Sequence, residues 1–185
     1  MTPEEYLEFE RTSEIKHEYF DGEMFAMVGA RVNHNRISSN ITTELNNKFK
    51  ANQSPCDVFS SDMRVKIQES SIYTYPDIVA ICGDIELEDH HFDTLLNPVV
   101  IIEILSSSTE AYDRGQKFTH YRRITSLQEY ILVSQYHCQV EKYVRRDDGT
   151  WSLSSYEGME EKLNIASIHC ELRLSDIYYR VEFER

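Results

Sequence analysis

The sequence predicts an α/β domain, a mixed β-sheet flanked by helices. Three observations predict it. The apolar run Asn97 to Leu105 has the length and composition of a central strand. Ile37, Ile41, Leu45 and Phe49 recur every four residues, the stripe of an amphipathic helix. The segments follow in the order helix, hairpin, helix, several strands, helix, strands.

Thr2-Pro3-Glu4-Glu5 reads as a helix start, with a threonine N-cap, proline at the first position and glutamate at the third, and predicts a short helix through Phe9. Ile15 to Phe20 and Glu23 to Val28 flank Asp21-Gly22, a two-residue hairpin turn. The apolar stripe predicts a helix over Asn33 to Ala51. Val58 to Ile67 and Tyr73 to Cys82 read as two strands separated by Gln68-Glu69-Ser70-Ser71, followed by the strand Asn97 to Leu105. Ser107-Ser108-Thr109-Glu110 fits a capping box and opens a helix to about Ile124. Gly115 weakens that helix by roughly 1 kcal/mol, a local conflict. Glu129 to Ser134 is another apolar strand, and Cys138 to Arg145 with Trp151 to Tyr156 form an edge hairpin about Asp148-Gly149. Short apolar pieces follow from Leu163 to Phe183. Without repeats, low-complexity tracts or linkers, residues 1–185 read as a single domain.

The hydrophobic fraction of 41% and charged fraction of 28% are those of a globular protein. No apolar run approaches the ~20 residues that span a bilayer, so no membrane association is expected. The acidic N-terminus lacks a secretory pattern, and a cytoplasmic location is the default expectation. Four cysteines without CxxC spacing argue against a zinc knuckle or a dense disulfide framework, and Cys82 and Cys138 read as small buried hydrophobes. His90-His91, beside Asp89 and Asp93, reads as part of a solvated loop. The net charge of −13 opposes nucleic-acid binding, which draws on basic patches that displace counterions. Lys48 and Lys50, Arg64 and Lys66, Arg122 and Arg123, and Arg145 and Arg146 are candidates for a local basic groove. The alternative is that they are ordinary solvated charges.

Two apolar runs of strand length are each broken by one carboxylate, Asp77 in Tyr75-Pro76-Asp77-Ile78-Val79-Ala80 and Glu103 in Pro98 to Ser106. A buried carboxylate is costly unless it is paired or binds a cation. Two of them near a lysine suggest a metal-dependent phosphodiesterase site. Glu103 and Leu105 share a strand face, and Leu105 stands where a Glu-x-Lys arrangement would place its lysine. The chain climbs about 13 Å from Glu103 to Ser107 at strand rise. From Ser108 to Lys117 it advances about 13 Å at helical rise, so a helix folding back returns Lys117 to the level of Glu103. Asp113 and Tyr121 lie one turn either side of Lys117. The alternative is a plain Asp113–Lys117 surface ion pair.

His34 lies three residues before Ile37 on the buried helix face, either as a satisfied core histidine or as a ligand or orienter. Glu18, beside the Asp21-Gly22 turn, is a hairpin charge or a residue that reaches the site. The hard oxygens of Asp77 and Glu103, with the backbone carbonyl of Ile104, suit Mg²⁺ or Mn²⁺. Ser106 to Ser108 lack a Gly-x-Ser-x-Gly context, and no Gly-x-x-x-x-Gly-Lys loop exists, which argues against serine hydrolases and NTPases.

These residues carry a resemblance. Glu18-Tyr19-Phe20-Asp21-Gly22-Glu23, His34, Asp62-Met63-Arg64-Val65, Tyr75-Pro76-Asp77, Asn97 to Ser106, Asp113 to Lys117, Tyr121 and Glu129-Tyr130 together resemble the Uma-type restriction-endonuclease family of the PD-(D/E)XK nuclease superfamily. The resemblance covers almost the whole chain and implies a restriction-endonuclease-like core acting on DNA. It implies that Asp77 fills the proline-aspartate motif and Glu103 the acidic position of Glu-x-Lys. Lys117 looks like that motif's lysine, moved to the following helix. Glu18 and His34 match further family positions. The expected activity is Mg²⁺-dependent DNA cleavage. The rival expectations are a catalytically silent binding module on the same fold and a hydrolase of another substrate. Cleavage of two strands would favour a homodimer, with the edge hairpin Cys138 to Tyr156 as one interface.

Overall fold

A computed structural model describes residues 1–67 and 70–183. Helix α1 (Pro3–Glu10) starts as its sequence predicts: the Glu5 amide donates to Thr2 Oγ1 and the Thr2 amide to Glu5 Oε2. Strands β1 (His17–Phe20) and β2 (Glu23–Ala26) form the hairpin, with Asp21 and Gly22 both at positive φ (46° and 109°), as a tight turn between twisted strands requires. Helix α2 (Val32–Ala51) buries Ile37, Ile41, Leu45 and Phe49.

The next two predicted strands are each broken in two. Val58 to Ile67 becomes β3 (Cys56–Ser60) and β4 (Arg64–Ile67), and Tyr73 to Cys82 becomes β5 (Ile72–Thr74) and β6 (Ile78–Cys82). β3 pairs with β6 in one sheet and β4 with β5 in another, so the chain crosses between sheets at both breaks. The first crossing is a turn closed by the Met63 amide on the Ser60 carbonyl. At the second, Pro76 has no N–H to give a ladder. Of the predicted separator, Gln68 and Glu69 lie outside the described residues.

Strands β7 (Thr94–Leu95) and β8 (Val100–Leu105) follow. The predicted helix from Ser107 is shorter and irregular: α3 (Glu110–Tyr112), a π-helical segment (Asp113–Lys117) and α4 (Phe118–Tyr121). The capping box does not form. Thr109 makes no side-chain cap, and the Ser106 hydroxyl instead contacts those of Ser108 and Thr109. Gly115, the conflict in the expected helix, falls inside the π-helical segment. The remaining elements are β9 (Glu129–Ser134), β10 (Gln139–Arg145), β11 (Trp151–Glu157), β12 (Lys162–Ile165), a 3₁₀ turn, β13 (Cys170–Arg173) and α5 (Leu174–Ile177).

The predicted mixed sheet is a six-stranded one, β11-β10-β9-β8-β6-β3, in which β8 runs parallel to β9 and antiparallel to β6. A five-stranded sheet, β2-β1-β5-β4-β7, and the pair β12-β13 complete the described strands. β8 is central and buried on both faces. Val100, Ile102 and Ile104 pack with α2 and α5, whereas Ile101 and Leu105 pack with Phe118, Tyr121, Val65 and Ile67. Each such aliphatic side chain contributes about 1.5–3 kcal/mol on burial. Glu103 alternates onto the second face, between the two sheets and under the π-helical segment.

The cysteine expectation is corrected. β3 and β6 set Cys56 opposite Cys82 in a disulfide, so Cys82 is not an isolated hydrophobe; 26 residues of separation hide the pair from sequence spacing. Cys138 is half-buried and free. Among the described residues no helix is long and apolar enough to cross a membrane.

Candidate active site

The break at Tyr75-Pro76-Asp77 brings the predicted residues together. Asp77 precedes β6, and its backbone amide donates to Glu103 Oε2 at 3.3 Å. Its own carboxylate oxygen Oδ2 accepts the Ile104 amide at 2.7 Å and lies 3.1 Å from His34 Nε2. His34 is therefore neither solvated nor a plain core residue; the start of α2 aims it at Asp77. Its Nδ1 is buried and finds no partner among the described residues.

Lys117 returns to Glu103. Its Nζ stands 2.9 Å from Glu103 Oε1, 3.3 Å from Glu18 Oε1 and 3.8 Å from Asp113 Oδ1. The alternative of an Asp113–Lys117 surface pair fails on burial, because Asp113 is 3% and Lys117 7% exposed. A π-helical turn bulges the chain, and such turns recur at functional sites. Here it is held by the buried Tyr130 hydroxyl, which donates to the Asp113 carbonyl at 3.0 Å. One turn on, Tyr121 donates to Glu103 Oε1 at 2.9 Å. Glu103 Oε1 thus carries the lysine and the phenol, and Oε2 the Asp77 amide.

Three carboxylates, those of Glu103, Glu18 and Asp113, surround one buried ammonium, and the Asp77 carboxylate lies beside them against His34. The electrostatics follow from that imbalance. Burial, reinforced by Asp77 and Asp113 and opposed by Lys117, pushes the Glu103 carboxyl up to about 8. Asp113 is pushed up for the same first reason, its burial. Burial alone would lower Lys117, but Glu103, Glu18 and Asp113 hold it well above the ordinary lysine value. Among the described residues no three His, Cys, Asp or Glu side chains are grouped to hold a metal by themselves. Asp77 and Glu103 are joined directly, through the Asp77 amide on Glu103 Oε2.

Sequence reasoning missed what holds the Tyr75-Pro76-Asp77 break in place. The Tyr75 hydroxyl donates to Glu10 Oε1 at 3.0 Å and accepts from Arg64 Nη1 at 3.1 Å, while the Tyr75 amide donates to Glu18 Oε1 at 3.3 Å. The signal was Glu10 itself, a carboxylate one turn after Tyr6 on the buried side of α1. Arg64 is likewise corrected. It is buried, bonded to Thr94 and Tyr75 and paired with Asp93 at 2.9 Å, so it offers nothing to a surface groove. Lys66 pairs with Glu88, and Arg145 donates to the carbonyls of Leu127, Arg122 and Ile124. Lys50, Arg122, Arg123 and Arg146 remain exposed. His90 and His91 are exposed, as the solvated-loop reading expects.

The profile of the Uma2 family, described as "Putative restriction endonuclease", matches residues 3–175. The chain belongs to this family. Two proteins of the cyanobacterium Synechocystis are similar along nearly their whole length. "Uncharacterized protein slr1290" is 36% identical over 183 residues, covering 99% of this chain and 94% of that one. "Uncharacterized protein sll1609" is 36% identical over 166 residues, covering 90% and 93%. A crystal structure from Anabaena variabilis, described as "a putative nuclease belonging to DUF820", matches with a TM-score of 0.78 at 18% identity, over 96% of this chain and 97% of that one. At that identity the likeness is one of fold. The mixed α/β architecture is thus a nuclease-family fold, with the seam between two sheets occupied by Glu18, Asp77, Glu103 and Lys117.

Proposed function

We propose that the protein is an endonuclease that hydrolyses DNA phosphodiester bonds with Mg²⁺ or Mn²⁺. The observation that carries this reading is the 2.9 Å approach of Lys117 to Glu103, which supplies the lysine that Leu105 withholds. The donor set fits such an ion. Mg²⁺ takes one or two carboxylates and keeps much of its water, so Asp77 and Glu103 suffice without a third side chain. An extended residue points its N–H and C=O to the same strand edge, so the Ile104 amide on Asp77 supports the Ile104 carbonyl as a further oxygen facing the site.

When bound, the ion supplies charge stabilisation at the phosphoryl oxygens and acidifies water. The protein groups do the rest. Lys117, held charged by its carboxylate neighbours, acts as a donor to the attacking water or to a phosphoryl oxygen, not as a base. Glu18 shares that ammonium. His34 keeps the Asp77 carboxylate in place through Nε2.

The test is conversion of supercoiled plasmid to nicked or linear forms in Mg²⁺ or Mn²⁺. Wild type converts it and Asp77→Ala does not; equal rates would show that the assigned site is wrong. One observation favours a second reading, a silent binding module on the nuclease fold. The net charge is −13, and Arg64, Lys66 and Arg145 are committed to internal partners. That reading predicts a melting temperature indifferent to Mg²⁺, Mn²⁺ and Ca²⁺. A hydrolase of another substrate would instead respond to metal yet show no salt-dependent DNA binding.

A further inference from the structure

Lys117 makes two close contacts and one long one. Glu103 and Glu18 lie at 2.9 and 3.3 Å, whereas Asp113 Oδ1 is 3.8 Å away, beyond hydrogen-bond length. Asp113 is nevertheless buried one turn earlier on the same helix face. Among the described residues Lys117 is its only cationic partner within 4 Å. Its neighbour Arg114 is engaged elsewhere, with Glu110 and Glu141. The Thr109 side chain hydrogen-bonds the Asp113 carboxylate, but at 3.8 Å the ammonium offsets its buried charge only in part, and a closer approach would offset more. Charge-assisted hydrogen bonds form at about 2.7–2.9 Å, so a movement of about 1 Å brings the ammonium onto Asp113.

Something must drive that movement. With three carboxylates around it, Lys117 is the counter-ion of the metal-free site. A divalent cation drawing on Glu103 repels an ammonium on the same carboxylate, strongly in a dry environment. Resting on the reading of Asp77 and Glu103 as cation ligands, we propose that Asp113 is a positioning residue that receives the Lys117 ammonium when a divalent cation takes Glu103. The lysine then remains charged, buried and beside the site, but no longer competes with the ion. The Tyr130 hydroxyl on the Asp113 carbonyl keeps the receiving residue fixed while the longer side chain moves.

The experiment is calorimetric titration with Ca²⁺ and with Mg²⁺, without nucleic acid, on the full chain. It compares wild type, Lys117→Met, Asp113→Asn and the double variant, each first shown to be folded by its melting transition. Lys117→Met removes the competitor and binds the cations about tenfold more tightly than wild type. Asp113→Asn keeps the lysine but removes its second berth, and binds about tenfold more weakly. In the Lys117→Met background Asp113→Asn has little further effect, because there is no ammonium left to receive. Equal effects of Asp113→Asn in both backgrounds overturn the proposal, since they would reflect only a lost negative charge. So does an unchanged or weaker affinity in Lys117→Met. Should Lys117→Met not fold, the ¹⁵N-detected ammonium signal of Lys117 decides. It shifts on Ca²⁺ addition in wild type and not in Asp113→Asn, and an identical shift in both overturns the proposal. Absence of cation binding in wild type and Lys117→Met alike overturns the metal reading itself, a result distinct from binding without coupling.

Discussion

The Ile104 amide donates to Asp77 Oδ2 at 2.7 Å. The reciprocal bond, from the Asp77 amide to Glu103 Oε2, is 3.3 Å. Each acidic residue of the site therefore binds the other's strand, and the carboxylates are structural fasteners as well as candidate ligands.

Substitutions at Asp77 should separate these two roles. Asp77→Ala leaves the Ile104 amide and His34 Nε2 without their acceptor, at a cost of about 1–3 kcal/mol. Asp77→Asn keeps an oxygen for the amide and loses less. Both variants are expected to be inactive in plasmid cleavage, with the Asn variant melting at the higher temperature. Equal melting temperatures would show that the amide bond contributes nothing.

Glu103 makes the metal-free protein sensitive to alkali. Its carboxyl, pushed up mainly by burial, titrates at about 8 in the fold against 4.5 ordinarily. The native state therefore holds this proton more tightly than the unfolded chain. The group's contribution is complete below 4.5 and is lost as pH rises to about 8. Glu103→Gln carries no such proton. In EDTA, its melting temperature relative to wild type should rise steadily from about pH 5 to about pH 9. Parallel curves for the two proteins would refute the assignment.

Asp93 behaves in the opposite sense. Burial would raise its carboxyl, but hydrogen bonds from Arg11 and the charge of Arg64 hold it well below the ordinary value of 3.8. Its contribution is present above 3.8 and is lost as pH falls through the depressed value. Asp93→Asn should cost about 1–2 kcal/mol at neutral pH, after discounting for its partly exposed side chain. Urea unfolding at acid pH checks the sign: the gap between variant and wild type should narrow there.

Gly115 offers a gain. A Cβ at this position meets nothing within 4 Å, and the residue does not need positive φ. Gly115→Ala should stabilise by about 0.4–1 kcal/mol through the unfolded chain. The melting temperature should rise with cleavage retained. A fall would mean that the π-helical turn depends on glycine.

Much of this arrangement was legible in the sequence because local rules governed it. Asp21-Gly22, the Ile37-to-Phe49 stripe and the Thr2 cap are short-range signals, and the residues concerned fold as those signals say. The return of Lys117 to Glu103 was legible from strand and helix rise, and it occurs although the helix that carries it is shorter and partly π-helical. What the sequence hid was partnership. Apolar alternation marks Val58 to Ile67 as strand but does not say that its halves join different sheets. Nor does it tell a solvated Arg64 from one buried against Tyr75 and Asp93. The hydroxyls of Ser106 to Thr109 spell a cap and bond to one another instead.

The chain crosses between its two larger sheets at Asp77, with Glu18 on one side and Glu103 on the other. The site is therefore a sensor of sheet docking. Partial opening of the five-stranded sheet, with β8 and β9 intact, withdraws Glu18 and loosens Asp77 before the core of the molecule melts. Amide exchange in β1 and β5 should then outpace exchange in β8, and loss of activity on warming should track the faster class. The arrangement of Glu18, Asp77 and Glu103 would fail first, while most of the fold still stands.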